Sequence, residues 1–412
     1  MSNWLLQLAG GSLVAAAAAD VFLTVLYARG GVGLISPFLS RGLWWLFRSV
    51  AQLLPRDHRG GLLAFAGPSL LVVTVVTWAC LLASGFALIV WPGLGTGVQA
   101  SQGPTPTDFW TAFYYSGYSL TTLGVGDLVP KTSFYRVLTV LEAGIGFSVF
   151  TLALTYFMSV YSALIRRNTL ALLLHQMSNR SGDAAELLAR LGPGGDFAPA
   201  RPEITTIATE VLSLLEAHHS YPVLHYFRRE EPTFAMARIT LMVLDSASLA
   251  RTALDGEHHR SFVRSGSIEA LWGSGLRLLA GTRGFVPRHG HRRGHPDGEA
   301  PDADDECRWR ARFAAAVQRL QEDGVLTRGA ARDGSDEYVA LRRLWDSEVW
   351  GLARHMAYGV TEIAPHETNL ASTGARQQVR PAEPEKTGRT GLAEPGRAAA
   401  DGSRPCGTEN GE

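Results

Sequence analysis

Little in this chain points to catalysis. There is no Gly-x-Ser-x-Gly elbow to expose a nucleophilic serine, no Gly-x-x-x-x-Gly-Lys loop to cradle phosphates and no His-Glu-x-x-His helix to hold zinc. A Gly-x-Gly-x-x-Gly after a strand is also missing, so a nucleotide-fold regulatory domain is not expected. Three scattered cysteines, Cys80, Cys307 and Cys406, imply neither a disulfide framework nor a zinc site. Neither charge sign is in excess, with 38 basic against 38 acidic residues, so the balance selects neither nucleic acid nor an anionic surface as partner. No enzyme and no cofactor is expected.

Charge is absent in a more telling way along the chain. Residues 62–92 carry no charged side chain and are long enough to cross a bilayer with tilt to spare. Residues 135–165 form a second span broken only by Arg136 and Glu142. Residues 4–28 form a third, with Trp4 and Tyr27 as interface anchors and Asp20 as its one acid. A cleaved signal peptide is the alternative for this first run, given Ala15 to Ala19, but no basic residue precedes it. The loop 29–61 holds Arg29, Arg41, Arg48, Arg56 and Arg59, whereas 93–134 holds only Lys131 as an inward-directing lysine. Positive charge marks the cytoplasmic side, which places the N-terminus and the 93–134 loop outside and Arg166 and Arg167 at the inner end of the last span. Regularly repeated arginines within a span, as a voltage sensor needs, are absent. Residues 34–54, with Trp44, Trp45, Phe47, Arg41 and Arg48, suit a helix lying in the membrane interface.

Between the spans lies the stretch Thr121-Thr122-Leu123-Gly124-Val125-Gly126-Asp127. Residues 108–120 before it have helical spacing, an acid at the start and prolines just upstream, but are too few to cross a bilayer. Such a helix enters and returns, and the non-helical backbone after it is tolerated only where it lines water or is buried in protein. Glycines at 124 and 126 permit dihedrals that turn successive carbonyls the same way.

In this order of parts the segment resembles the pore loop of the potassium channel superfamily, in its prokaryotic form with one pore loop per chain. The resemblance covers about residues 62–165. The family's carbonyl filter has the pattern Thr-Val-Gly-Tyr-Gly, onto which Thr122, Leu123, Gly124, Val125 and Gly126 fall in turn as ion-binding positions. Thr121 and Asp127 flank them as support. Tyr114 and Tyr115 fall where the family often has tryptophans, and Tyr118 where some relatives carry an acid bonded to the filter aspartate, which suggests a Tyr118 to Asp127 bond here. Val125 in place of tyrosine leaves only apolar contact to Tyr114 or Tyr115, so a less selective monovalent cation channel stands beside the potassium reading. A nonconducting membrane sensor or scaffold stands as a third. The resemblance implies a homotetramer in a prokaryotic plasma membrane with K+ as the permeant ion, and no other metal. Gly144 and Gly146 fall where the family's inner helix has its gating hinge, with close helix packing as the alternative. Glu142 is expected to bond behind the filter or near a helix end rather than at the ion.

The implied fold is an all-α membrane protein: an N-terminal span and interfacial helix (1–61), a pore module of outer helix, re-entrant helix and inner helix (62–167), and cytoplasmic helical regions (168–285 and 307–365). A charged linker (286–306) and a tail (366–412) are expected to be disordered. Ile204, Ile207, Val211, Leu214 and Leu215 share one helical face, as do Phe313, Val317 and Leu320, and Leu341, Leu344, Trp345 and Leu352. His218 to Tyr226 reads as a packed turn between helices, with proton sensing as the alternative. His289, His291 and His295 lack the geometry or cysteine partners of a metal site.

Overall fold

The computed structural model describes residues 3–27, 33–285, 303–328 and 332–366. Arg29, the three histidines of 286–302 and Cys406 lie outside the described residues. The chain forms two compact units, Met1–Leu170 with Glu210–Phe234 and Ala171–Thr209 with Ala235–Glu412. Among the described residues, three helices are long and apolar enough to cross a membrane: Asn3–Leu26, His58–Gly93 and Ser133–Met177.

In the first unit, α1 (Asn3–Val21) continues into a wider π turn at Phe22–Leu26. Then come α2 (Ser36–Leu53), α3 (Arg56–Ala64) and α4 (Ala66–Val90). A short strand β1 (Val98–Ala100) precedes α5 (Phe109–Leu120), which is followed by β2 (Leu128–Pro130) and the 45-residue α6 (Ser133–Met177). Helix α1 lies on α4 through two glycines. A β-carbon on Gly10 would stand 2.4 Å from the Gly85 carbonyl oxygen, so only glycine lets these backbones approach so closely. The acid of α1 is accounted for as well. Asp20 is fully buried and accepts from the Ile35 backbone N–H (2.7 Å), the Ser36 hydroxyl (2.7 Å) and the Trp78 indole (2.7 Å), thereby joining α1, the start of α2 and α4.

Two three-residue strands, which the sequence pattern did not reveal, pair antiparallel with Val98 opposite Pro130 and Ala100 opposite Leu128. With Ala87, Val90, Ala112, Tyr115 and Tyr118 they form a core that fixes both ends of the 121–127 segment. Residues 210–234 pack on the long helices of the same unit. Tyr221 meets Tyr156, Phe227 meets Tyr161, and Tyr226 meets Trp44 of α2. The turn read from His218 to Tyr226 is present as a 3-10 turn at Pro222–Tyr226. Its two buried histidines face each other at 4.7 Å, and burial pushes the His218 imidazole down to about 3, so it is neutral at ordinary pH.

The second unit is helical: α7 (Ala184–Leu191), α8 (Ala200–Ser220, whose last turns belong to the first unit), α9 (Met236–Thr252), α10 (Arg260–Val263), α11 (Gly266–Thr282), α12 (Ala303–Glu322), α13 (Arg332–Arg342), α14 (Asp346–His355) and α15 (Val360–Ile363). Helix α12 starts inside the expected linker. Helix α9 is buried on nearly every side and carries Asp245 at its centre. Arg312 reaches that carboxylate at 3.0 Å and Arg342 at 3.2 Å, and Tyr338 donates its hydroxyl to it. Burial raises the Asp183 carboxyl, but the Arg312 guanidinium beside it prevails and brings it down to about 2.

Two expectations fail in this unit. Leu344 is 58% exposed instead of sharing the buried face of Trp345 and Leu352. The helix breaks after Arg342, whose buried side chain takes the inward position and pairs with Asp346 at 2.6 Å. Cys307 is disulfide-bonded rather than isolated, while Cys80 is free and exposed.

Candidate functional site

Helix α5 is about 18 Å long at 1.5 Å per residue, against a hydrocarbon core of about 30 Å. It begins where Asp108 caps it, accepting from the Thr111 backbone N–H at 3.0 Å and the Thr111 hydroxyl at 2.7 Å. It ends at Leu120, where the Thr121 hydroxyl donates back to the Gly117 carbonyl at 2.9 Å and the Leu123 N–H to the Tyr118 carbonyl at 2.9 Å. Those bonds close the helix and release the chain into non-helical backbone.

From there φ alternates. Thr122 stands at +58°, Gly124 at +61° and Gly126 at +79°. Residues of alternating hand rotate successive peptide planes, so carbonyls that would alternate in a strand come round to one side. The glycines were legible as the residues able to do this. Thr122 was not, because a β-branched residue rarely adopts the left-handed region. Every residue from Thr121 to Asp127 is exposed in the single chain, Leu123 to 72% and Val125 to 49%.

Beyond Gly126 the backbone is tied down. The Ser101 hydroxyl donates to the Gly126 carbonyl, and the Ser101 N–H to the Asp127 carbonyl at 2.7 Å. The Asp127 side chain accepts from the Leu128 N–H at 2.9 Å. The tyrosines of α5 act differently from expectation. Tyr118 donates its hydroxyl to the Leu128 carbonyl at 2.6 Å, not to Asp127. The Asp127 carboxylate lies instead toward Tyr114, one helical turn earlier. Tyr115 is buried and exchanges a hydrogen bond with Thr139 of α6. Tyr118 sits edge to face between Tyr114 and Tyr115, at 5.2 and 5.3 Å. The pattern held no sign of which tyrosine reaches which end of the loop, since that depends on how β2 folds back.

Glu142 is fully buried near Ser116 of α5, and neither of its carboxylate oxygens has a hydrogen-bond partner. Gly144 and Gly146 part company. A β-carbon on Gly144 would meet nothing within 4 Å, whereas one on Gly146 would fall 1.9 Å from the Leu120 carbonyl oxygen. Helix α6 is unbroken through both. Gly146 is therefore the place where α6 touches the end of α5. Gly146→Ala should lower the thermal midpoint of the purified protein by several degrees, while Gly144→Ala should leave it level or raise it slightly, because replacing a helical glycine by alanine without a clash is favourable by roughly 0.5–1 kcal/mol. Equal midpoints for the two variants would contradict this packing role.

Residues 72–163 match the family described as "Ion channel". The chain is 30% identical over 240 residues to the uncharacterized membrane protein YdjJ of Bacillus subtilis (strain 168), covering 58% of this chain and 67% of that one. It is 43% identical over 47 residues to the TWiK family of potassium channels protein 9 of Caenorhabditis elegans, which is 11% of this chain and 8% of that protein. No solved structure matches. Matched over two thirds of that relative's length, the chain belongs with YdjJ to one family of membrane proteins, and it carries an ion-channel domain that runs from α4 to α6.

Proposed function

We propose that four copies of this chain surround an axis and pass K+ through a row of carbonyls supplied by Thr122, Leu123, Gly124, Val125 and Gly126. The alternation of φ at 122, 124 and 126 carries this reading. It is the backbone geometry that lets one strand present several carbonyls to one line, and one strand cannot surround an ion. Helix α5 dips into the membrane and returns, aiming its negative C-terminal end at the cavity below the row. Helix α6 is the inner helix. Its Ser148, Thr151, Thr155 and Ser159 recur every three or four residues, each hydroxyl satisfied by the carbonyl four residues earlier, so this face is polar without being charged. The N-terminus lies outside and the 168–285 and 307–365 regions lie in the cytoplasm.

A less selective monovalent cation pore is the second reading, favoured by Val125. Here no tyrosine hydroxyl stiffens the row from behind, and Tyr115 and Tyr118 of α5 spend their hydroxyls on Thr139 and the Leu128 carbonyl. The reversal potential of the purified full chain in a planar bilayer, with potassium on one side and sodium on the other, decides between them. A value near the potassium limit is expected. A value near zero would establish the nonselective pore, and silence would favour a nonconducting sensor.

A further inference from the structure

We propose that Phe227 is a positioning residue for the pore: it holds the inner end of α6 away from α4 and so biases the pore toward its narrow form. The proposal rests on the reading above, in which α6 faces the axis and α4 stands behind it. Every contact it uses lies within the first unit.

On α6, Tyr156, Val160, Ala163 and Leu164 recur every three or four residues and are all buried, whereas Met158 and Ile165 on its other sides are exposed. The segment after α8 reaches this buried face, where Tyr221 meets Tyr156 at 6.0 Å. A cavity of about 470 Å³ lies between the inner parts of α4 and α6, with Ala64 and Pro68 on one wall and Tyr161 and Leu164 on the other. Close-packed helices resist a change of separation, and two helices with such a gap between them do so far less. Phe227 stands in the gap and meets both sides. A β-carbon on Gly67 of α4 would lie 2.6 Å from its Cγ, so only a glycine gives the ring this seat. From there the ring reaches Tyr161 of α6, edge to face, at 6.4 Å between centroids. Its neighbours fasten it to the other helices. Tyr226 packs on Trp44 of α2 at 6.0 Å, and the Arg228 guanidinium donates to the Gly60 carbonyl of α3 at 3.1 Å. A spacer anchored on α2, α3 and α4 and pressed against α6 sets how far α6 stands from α4. Without the ring, α6 settles back toward α4 and away from the axis, which widens the pore. A bulkier spacer drives it the other way.

The test compares two substitutions of the full chain that act on the spacer in opposite senses. Phe227→Ala should raise the open probability in planar bilayers about five-fold or more. Gly67→Ala, whose new methyl group displaces the ring toward Tyr161, should lower it by a similar factor. The reversal potential should stay the same in both, because the carbonyl row is untouched. A residue that only stabilised the fold would move both variants the same way. Spacing is read without flux from nitroxide labels at the exposed Val72 of α4 and Met158 of α6, in labelled chains diluted with unlabelled ones. The label distance should shorten by about 1–2 Å in Phe227→Ala and lengthen in Gly67→Ala. Phe227→Trp replaces Gly67→Ala if that variant fails to fold. The proposal is overturned if the distance stays constant or moves the same way in both variants, or if a conducting channel's open probability does not follow it. Opposite distance shifts with silent bilayers would keep the spacer and sink the conduction reading instead.

Discussion

Gly124→Ala is expected to abolish cation flux from vesicles while leaving the chain folded and its assembly intact. A β-carbon at Gly124 would meet nothing within 4 Å in its own chain, so no clash disturbs either unit. The strain is in the backbone, because φ is +61° and an L-residue held in the left-handed region costs roughly 1–2 kcal/mol. That is small against a typical folding stability of about 5–15 kcal/mol, but large for an exposed segment with little to hold it. The segment's easiest relief is to leave the left-handed region, which turns a carbonyl out of the row. In a four-fold assembly this happens on every side at once. Gly103→Ala supplies the control. Gly103 has φ +74° and equally open surroundings but lies outside the segment, so it carries the same strain and should keep its flux. Normal flux through Gly124→Ala would remove the segment from the ion path.

The second large effect belongs to Asp20. Replacing it with alanine leaves the Trp78 indole N–H and the Ile35 backbone N–H without their acceptor inside the helix packing. The Ser36 hydroxyl is less affected, since Thr24 lies 3.1 Å away as an alternative partner. Hydrogen bonds between membrane helices are worth roughly 0.6–1.7 kcal/mol each by double-mutant cycles, and buried donors left unsatisfied cost about 1–3 kcal/mol each. Two obligate donors then give a destabilisation of about 3 kcal/mol. The variant should unfold at a clearly lower temperature or denaturant concentration in detergent, and Trp78→Phe combined with it should recover part of the loss because one orphaned donor is gone. Strict additivity of the two substitutions would show that the indole and the carboxylate do not interact.

Much of this arrangement could be read from residue order. Long runs without charge revealed the three apolar helices, and an Asp108 cap followed by aromatics at helical spacing revealed α5. Two glycines separated by one residue, directly after that helix, revealed the segment that alternates its φ. What escaped was set by contacts distant in sequence. Tyr114 and Tyr118 are both tyrosines on one face, and only the return of β2 past α5 decides that Tyr118 donates to the Leu128 carbonyl rather than to Asp127. Asp20 read as a lone acid because its partners come from residues 35, 36 and 78. Gly146 read as a hinge or a packing residue with equal right, and it is the position of the Leu120 carbonyl that makes it a contact. Strands of three residues give too short an alternation to recognise. Leu344 was misplaced because a buried arginine, normally an outward residue, took the inward position beside it.

A carbonyl that already accepts a hydrogen bond from a hydroxyl is a poorer ligand for a cation, since part of its lone-pair density is spent. Gly126 is in that condition through Ser101. In a queue of ions the outermost berth would then be the loosest, and the ion in it would leave for the outside solution more readily than one bounded by the carbonyls of Leu123 and Gly124. Traffic would empty from the outer end first, and a small cation arriving from outside would find its first resting place shallow. Ser101, a residue of the loop before α5 with no place in the row itself, would thus set the asymmetry of occupancy along it.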